Sequence, residues 1–240
     1  MKTKVLVMVA GICAASLSSA SANNVSTSFG PMPGATFGGS GIPNDWVEMT
    51  TISGISDPFV QAGSDNLTIG LSAHARFSVG DLANNHAGTY YADPGTQLNS
   101  HGTPLALWNF DFDINSSAGF VSRYRYVLTY GLEGGSSTTL NPLTAFTDNT
   151  GAPGSAQNSE NLAFATLGGP IGFNPDASGI YDFTIDAYEG DTLLGSDTIH
   201  VNVGNVPEVS STAPLLAAGF IGLLILKKRA AKARFAGAIA

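Results

Sequence analysis

The alternation in ALWNFDFDIN, residues 106–115, constrains the fold of this chain more than any other feature. Trp108, Phe110, Phe112 and Ile114 take turns with Asn109, Asp111, Asp113 and Asn115. Side chains along a β-strand point to opposite faces with period two, so this segment has one apolar face and one polar face. IYDFTIDAYEG repeats the pattern, with Tyr181, Phe183, Ile185 and Ala187 on the inward face against Asp182, Thr184, Asp186 and Tyr188. DTIHVNV does so again through Ile199, Val201 and Val203. The Glu189-Gly190-Asp191 step between these two strands reads as a hairpin turn.

Further strands are expected in DWVEMTTI, NLTIGLSAHARFSV, SRYRYVLTY and NLAFATL, punctuated by Gly-Asp, Asp-Pro-Gly and Glu-Gly-Gly. Short half-apolar strands at this spacing predict an all-β fold, an antiparallel β-sandwich of two sheets packed face to face over residues 45–205, with Trp108 near the centre of the core. Residues 23–44 are expected to form a flexible segment, since NNVSTSFGPMPGATFGGSG is rich in Gly, Ser and Pro. No repeat of 20 to 50 residues marks a propeller or solenoid.

The two ends read differently. Residues 1–22, MKTKVLVMVAGICAASLSSASA, carry Lys2 and Lys4 ahead of an apolar run and close on small residues, the order of a secretory signal peptide cleaved between Ala22 and Asn23. Cys13, the single cysteine, falls inside that apolar run, so the mature chain would hold no disulfide. Near the other end, residues 209–226 approach the length of a bilayer span and are predicted to form one transmembrane helix. Lys227, Lys228 and Arg229 follow at once as a stop-transfer cluster within a basic tail, 227–240, that the positive-inside rule places in the cytoplasm. Residues 23–206 contain no lysine and only Arg76, Arg123 and Arg125 against 17 acidic residues, a formal charge of −14. So acidic an ectodomain is repelled by phosphate backbones, and nucleic acid is excluded as a partner.

The tail resembles a known sorting signal. A Val-Pro-Glu motif (Val206, Pro207, Glu208), a short Ser/Thr-rich approach, one apolar helix and a basic cluster are similar to the PEP-CTERM tail of exported proteins from Gram-negative bacteria that make exopolysaccharide. Ser211-Thr212-Ala213 also looks like the Val-Pro-Asp-Ser-Gly variant, while Val209 stands where the motif has proline. The resemblance implies an exosortase-type membrane protease as partner, with exopolysaccharide as a further one. It also implies an inner-membrane stage with the ectodomain outside, followed by residence at the cell surface or in the extracellular space. ALWNFDFDIN, QNSENLAF and FNPDASGIYDFTIDA are similar to segments of exported PEP-CTERM proteins without an assigned activity. Physically, proline holds Val206 towards an extended conformation just outside the bilayer, where a protease meets unwound backbone.

Chemistry is sparse by comparison. His74, His86, His101 and His200 have no metal-ligand spacing, and no nucleophile elbow, phosphate loop or cysteine pair occurs. GGSG at 38–41 reads as a linker. Asp111 and Asp113 are expected on a solvated strand face, with calcium ligation the alternative. The sequons at Asn24, Asn66 and Asn115 carry no weight in a bacterium. No cofactor, metal or catalytic activity is expected, and the function read here is that of an exported, non-enzymatic surface or matrix protein. Two alternatives stand beside it: a carbohydrate-binding module with exposed aromatics such as Tyr90, Tyr91 or Tyr188 as a platform, and a hydrolase with two facing carboxylates.

Overall fold

A computed structural model describes residues 23–39, 41–56, 64–77, 81–146 and 154–205. In chain order the elements are β1 (Asn24–Gly30), β2 (Val47–Ser56), β3 (Ser64–Ala75), β4 (Ala83–Asn84), β5 (Thr89–Ala92), β6 (Thr96–Leu98), β7 (Pro104–Ala106) and β8 (Trp108–Ser116). After a 3-10 turn at Val121–Arg123 come β9 (Arg125–Leu132), β10 (Ser137–Leu140), α1 (Pro142–Ala145), β11 (Ser155–Glu160), α2 (Ala165–Ile171), β12 (Gly179–Glu189) and β13 (Thr192–Val203). The protein is all-β, with two short helices as connectors.

One sheet has the order β1-β2-β3-β8-β11 and is antiparallel throughout; the other runs β10-β9-β12-β13-β5-β4; β6 and β7 make a separate hairpin. The second sheet departs from the expected antiparallel arrangement, because β13 and β5 are parallel, with His200 level with Thr89 and Val203 with Ala92. The tight hairpin between β12 and β13 turns through Asp191 and through Gly190 in the left-handed region at φ 58°, and it leaves the other edge of β13 to β5.

The inward residues of both sheets meet in one apolar core. Trp108, Phe110, Phe112 and Ile114 of β8 and Tyr181, Phe183, Ile185 and Ala187 of β12 are all buried, as their alternation predicts. Phe110 and Phe183 stack across the interior with centroids 4.4 Å apart, and Trp108 packs edge-on to Phe183 and Phe173. At one end of this core the Asp65 carboxylate accepts hydrogen bonds from the hydroxyls of Ser116, Ser117 and Tyr124 and from the Ala118 amide, tying β3 to the turn after β8.

Three expectations are corrected. Residues 161–167, read as a strand, form a turn and the start of α2. The buried Asn161 side chain ends the strand there: it accepts from the Ala106 and Ala163 amides and donates to the Ala106 and Trp108 carbonyls, replacing ladder bonds with its own. Residues 23–44 are not a flexible leader. β1 pairs along its full length with β2, and Met32, Ala35 and Phe37 are buried against Val47 in a small second core. Met32 donates its amide to the Asn44 carbonyl and Asn44 Nδ2 donates to the Ala35 carbonyl, so the loop is closed on itself. Finally, that loop covers the outer face of the first sheet, so Asn109, Asp111 and Asp113 are buried rather than solvated; of the alternating polar residues only Asn115 is exposed.

Among the described residues no helix is long and apolar enough to cross a membrane. The expected signal peptide, the transmembrane helix 209–226, and the residues Ala22, Val206, Pro207, Glu208, Lys227, Lys228 and Arg229 lie outside the described residues. Asn23 is described and immediately precedes β1.

Candidate functional site

Three neighbouring strands build a polar floor beneath the edge of this covering loop. The sheet register sets Ser159 of β11, Asp111 of β8 and Ser72 of β3 side by side, with Asn109 opposite His74 one step along. Since alternate residues share a face, these side chains all point to the outer surface of the sheet. The roof comes from the loop: Phe37, Gly38, Gly39 and Ile42 line the same cleft, an open hollow of about 380 Å³. Gln157 fastens this roof, its Oε1 accepting the amides of Thr36 and Phe37 at 2.7 Å each. Phe37 itself is fully buried with φ 48°, a left-handed conformation a phenylalanine holds only where packing enforces it.

The floor is a connected hydrogen-bond network. His74 Nδ1 lies 2.7 Å from Asp111 Oδ2, while Arg76 donates through a terminal guanidinium nitrogen to Asn109 Oδ1 at 3.2 Å. Asn109 Oδ1 also accepts from Asn161 Nδ2 at 2.8 Å, and Asn109 Nδ2 donates to Ser159 Oγ at 2.7 Å. Asn109 is thereby held at both ends of its amide, and the side chains that line the cleft are fixed by partners behind them. Phe77 completes the wall, with the Arg76 guanidinium 5.7 Å from its ring centre.

Electrostatics here are governed by burial. Removal from water raises the pKa of Asp111, and the His74 ring bonded to it pulls the other way. Burial raises Asp113 to about 6, with the Ser155 hydroxyl opposing. Burial lowers Arg76, and the nearby Glu160 counteracts this. An imidazole oriented by a buried carboxylate is one half of a nucleophile-activating relay. The other half is not assembled: Ser159 Oγ is engaged with Asn109, and no Ser–His hydrogen bond occurs among the described residues.

The residues singled out in the sequence are distributed unevenly around this site. Asp111 supports the floor, bonded to His74, and Asp113 lies buried beneath the loop, so neither stands on the solvated strand face expected of them. Among the described residues no group of three or more His, Cys, Asp or Glu side chains could hold a metal ion. Of the tyrosines proposed as a platform, Tyr90 is buried and donates its hydroxyl to the Trp46 carbonyl at 2.7 Å. Tyr91 lies level with Ile180 near one end of β12, whereas Tyr188 is at the other end beneath the Arg125 guanidinium, so the three do not form one surface. His200 pairs with Asp182 on the outer face of the second sheet, His86 abuts the Trp46 ring at 4.5 Å, and His101 is exposed at the β6–β7 turn.

Arg76, Asn109, Asn158 and Ser159 carry no sequence motif, and the cleft they form needs β11 beside β8, a pairing across 38 intervening residues of chain. A signal did exist in one place: an arginine in a lysine-free acidic segment is a scarce charge. Comparison of the chain with protein-family models, with curated proteins and with solved structures finds no match.

Proposed function

We propose that this chain is an exported, non-enzymatic protein of the cell surface or extracellular matrix. In this reading a signal peptide (1–22) directs export, a β-sandwich ectodomain faces outward, and a PEP-CTERM-like tail (206–240) presents Val206, Pro207 and Glu208 to an exosortase-type protease. The observation that carries it is the segregation of charge. All five lysines lie in residues 1–4 and 227–232, flanking apolar segments, while the span between them holds three arginines and all 18 acidic residues. The two-sheet core, complete without a disulfide, fits a domain that works outside the cell with no cysteine of its own.

Replacing Pro207 and Glu208 with alanine in a host that contains the sorting protease tests the role of the motif. The double variant is expected to accumulate in the membrane fraction as the uncut form, with its ectodomain fold unchanged by circular dichroism. Release of the variant at the wild-type rate would remove the motif from the mechanism and leave a helix that only anchors.

A further inference from the structure

We propose that the cleft over β3, β8 and β11 binds a neutral pyranose unit of a saccharide. Its volume, about 380 Å³, falls in the range of small-molecule sites, roughly 300–1,000 Å³. What selects the ligand is the pattern of polar valences left over once the floor's own bonds are made. Asn109 is consumed, holding Arg76 through its oxygen and Ser159 through its nitrogen. Ser159 Oγ accepts from Asn109 and its hydroxyl bonds the Asp111 carboxylate, so it too is consumed by the floor. His74 spends Nδ1 on Asp111 and presents Nε2. Asn158 Oδ1 accepts the Ser159 amide at 2.8 Å, leaving Nδ2 as a donor. The guanidinium of Arg76 spends one bond on Asn109 and keeps further N–H groups.

Donors and a ring nitrogen spaced around one small hollow match a ligand that carries several hydroxyls, each able both to donate and to accept. The walls decide the rest. Phe77 and Ile42, both partly exposed, give the hollow apolar faces, and the C–H face of a pyranose is apolar while its rim is polar. Gly38 and Gly39 bring bare backbone to the roof; at Gly38, φ +74° is a conformation that side chains rarely adopt.

Charge selects a neutral sugar over an acidic one. Glu160 acts on Arg76 electrostatically, Asp111 stands beneath His74, and the span from 23 to 206 has a formal charge of −14. An anionic ligand would meet a compensated cation in a repulsive field.

The proposal takes its setting from the surface role above, but its test is made on purified protein, so a failed cleft and a failed sorting tail give different results. The full chain, purified in detergent, is run by affinity electrophoresis through gels containing dextran, galactomannan, xyloglucan or hydroxyethylcellulose, with alginate as the anionic arm. Wild type is expected to be retarded in at least one neutral gel and not in alginate. Arg76→Gln and Asn158→Ala each remove a ligand-facing donor and are expected to weaken that retardation about 3- to 10-fold, the size of one hydrogen bond. Thermal melts of each variant separate lost binding from lost folding, and Arg125→Gln, on the opposite sheet, serves as the control that leaves retardation unchanged. Passage of wild type unretarded through every neutral gel overturns the proposal. So does retardation that folded Arg76→Gln and Asn158→Ala both retain, and retardation confined to alginate overturns the choice of a neutral ligand.

Discussion

Asp197 lies on the inward face of β13, in phase with Ile199, Val201 and Val203, and is 2% exposed. Its Oδ1 accepts a hydrogen bond from the Thr50 hydroxyl at 3.0 Å, and its Oδ2 is buried with no partner among the described residues. Burial raises its pKa from 3.8 to about 7; the Thr50 bond opposes this and the Glu48 charge adds to it. The folded protein therefore holds a proton that the unfolded chain releases near pH 3.8. The resulting stabilisation is complete below that value and is lost as pH rises through about 7. Over the two pH units from 5 to 7 the loss runs at about 1.4 kcal/mol per unit, or roughly 3 kcal/mol by pH 8. Asp113, raised to about 6, adds about 1 kcal/mol in the same direction. Asp65 works the opposite way: burial raises its pKa, but its four hydrogen bonds outweigh this and lower it, so its contribution is lost only in acid. Urea denaturation of residues 23–205 at pH 5, 6, 7 and 8 is the assay. Stability is expected to fall by about 3–4 kcal/mol from pH 5 to pH 8, with Asp197→Asn removing about 2–3 kcal/mol of that fall. Equal or greater stability at pH 8, or a slope that Asp197→Asn leaves intact, refutes the reasoning.

Trp108→Ala is expected to destabilise the same fragment by about 3–5 kcal/mol, since it empties the centre of the aromatic core. A loss below about 1 kcal/mol in denaturant melts would show that the site is not a packed interior. Asn161→Ala strands the backbone groups of Ala106 and Trp108 that its side chain satisfies, and is expected to cost about 2–4 kcal/mol by the same measurement. Gln157→Ala releases the amides of Thr36 and Phe37, so hydrogen exchange at those two amides is expected to accelerate while β12 and β13 stay protected. Unchanged protection at residues 36 and 37 would place the fastening of the loop elsewhere.

What was legible in the sequence was whatever depends on one strand at a time. Trp108, Phe110, Phe112 and Ile114 are buried because period two fixes their face relative to one another, and Gly190 turns the chain because Glu-Gly-Asp is a local turn signal. The partners across sheets were not legible. Whether Asp111 meets water or His74 depends on a loop 70 residues earlier in the chain folding over β8, and alternation is silent about what lies beyond a strand's polar face. Residues 161–167 misled for a related reason: their apolar content fits a strand, but the Asn161 side chain takes over backbone partners from β7 and β8 that only the tertiary fold supplies. The cleft escaped notice because its members come from β3, β8 and β11 and from a Gly-rich loop that reads as a linker.

The proposed function stands most directly on the fate of the two ends, and intact-mass spectrometry of the wild-type protein from its native host measures both at once. Protein recovered from the cell surface or medium is expected to begin at Asn23 and to end close to Val206 or Pro207, with the peptide through Ala240 missing. A mass that runs intact to Ala240, found in the membrane fraction of a host that has the sorting protease, would contradict the account and make the apolar segment a permanent anchor.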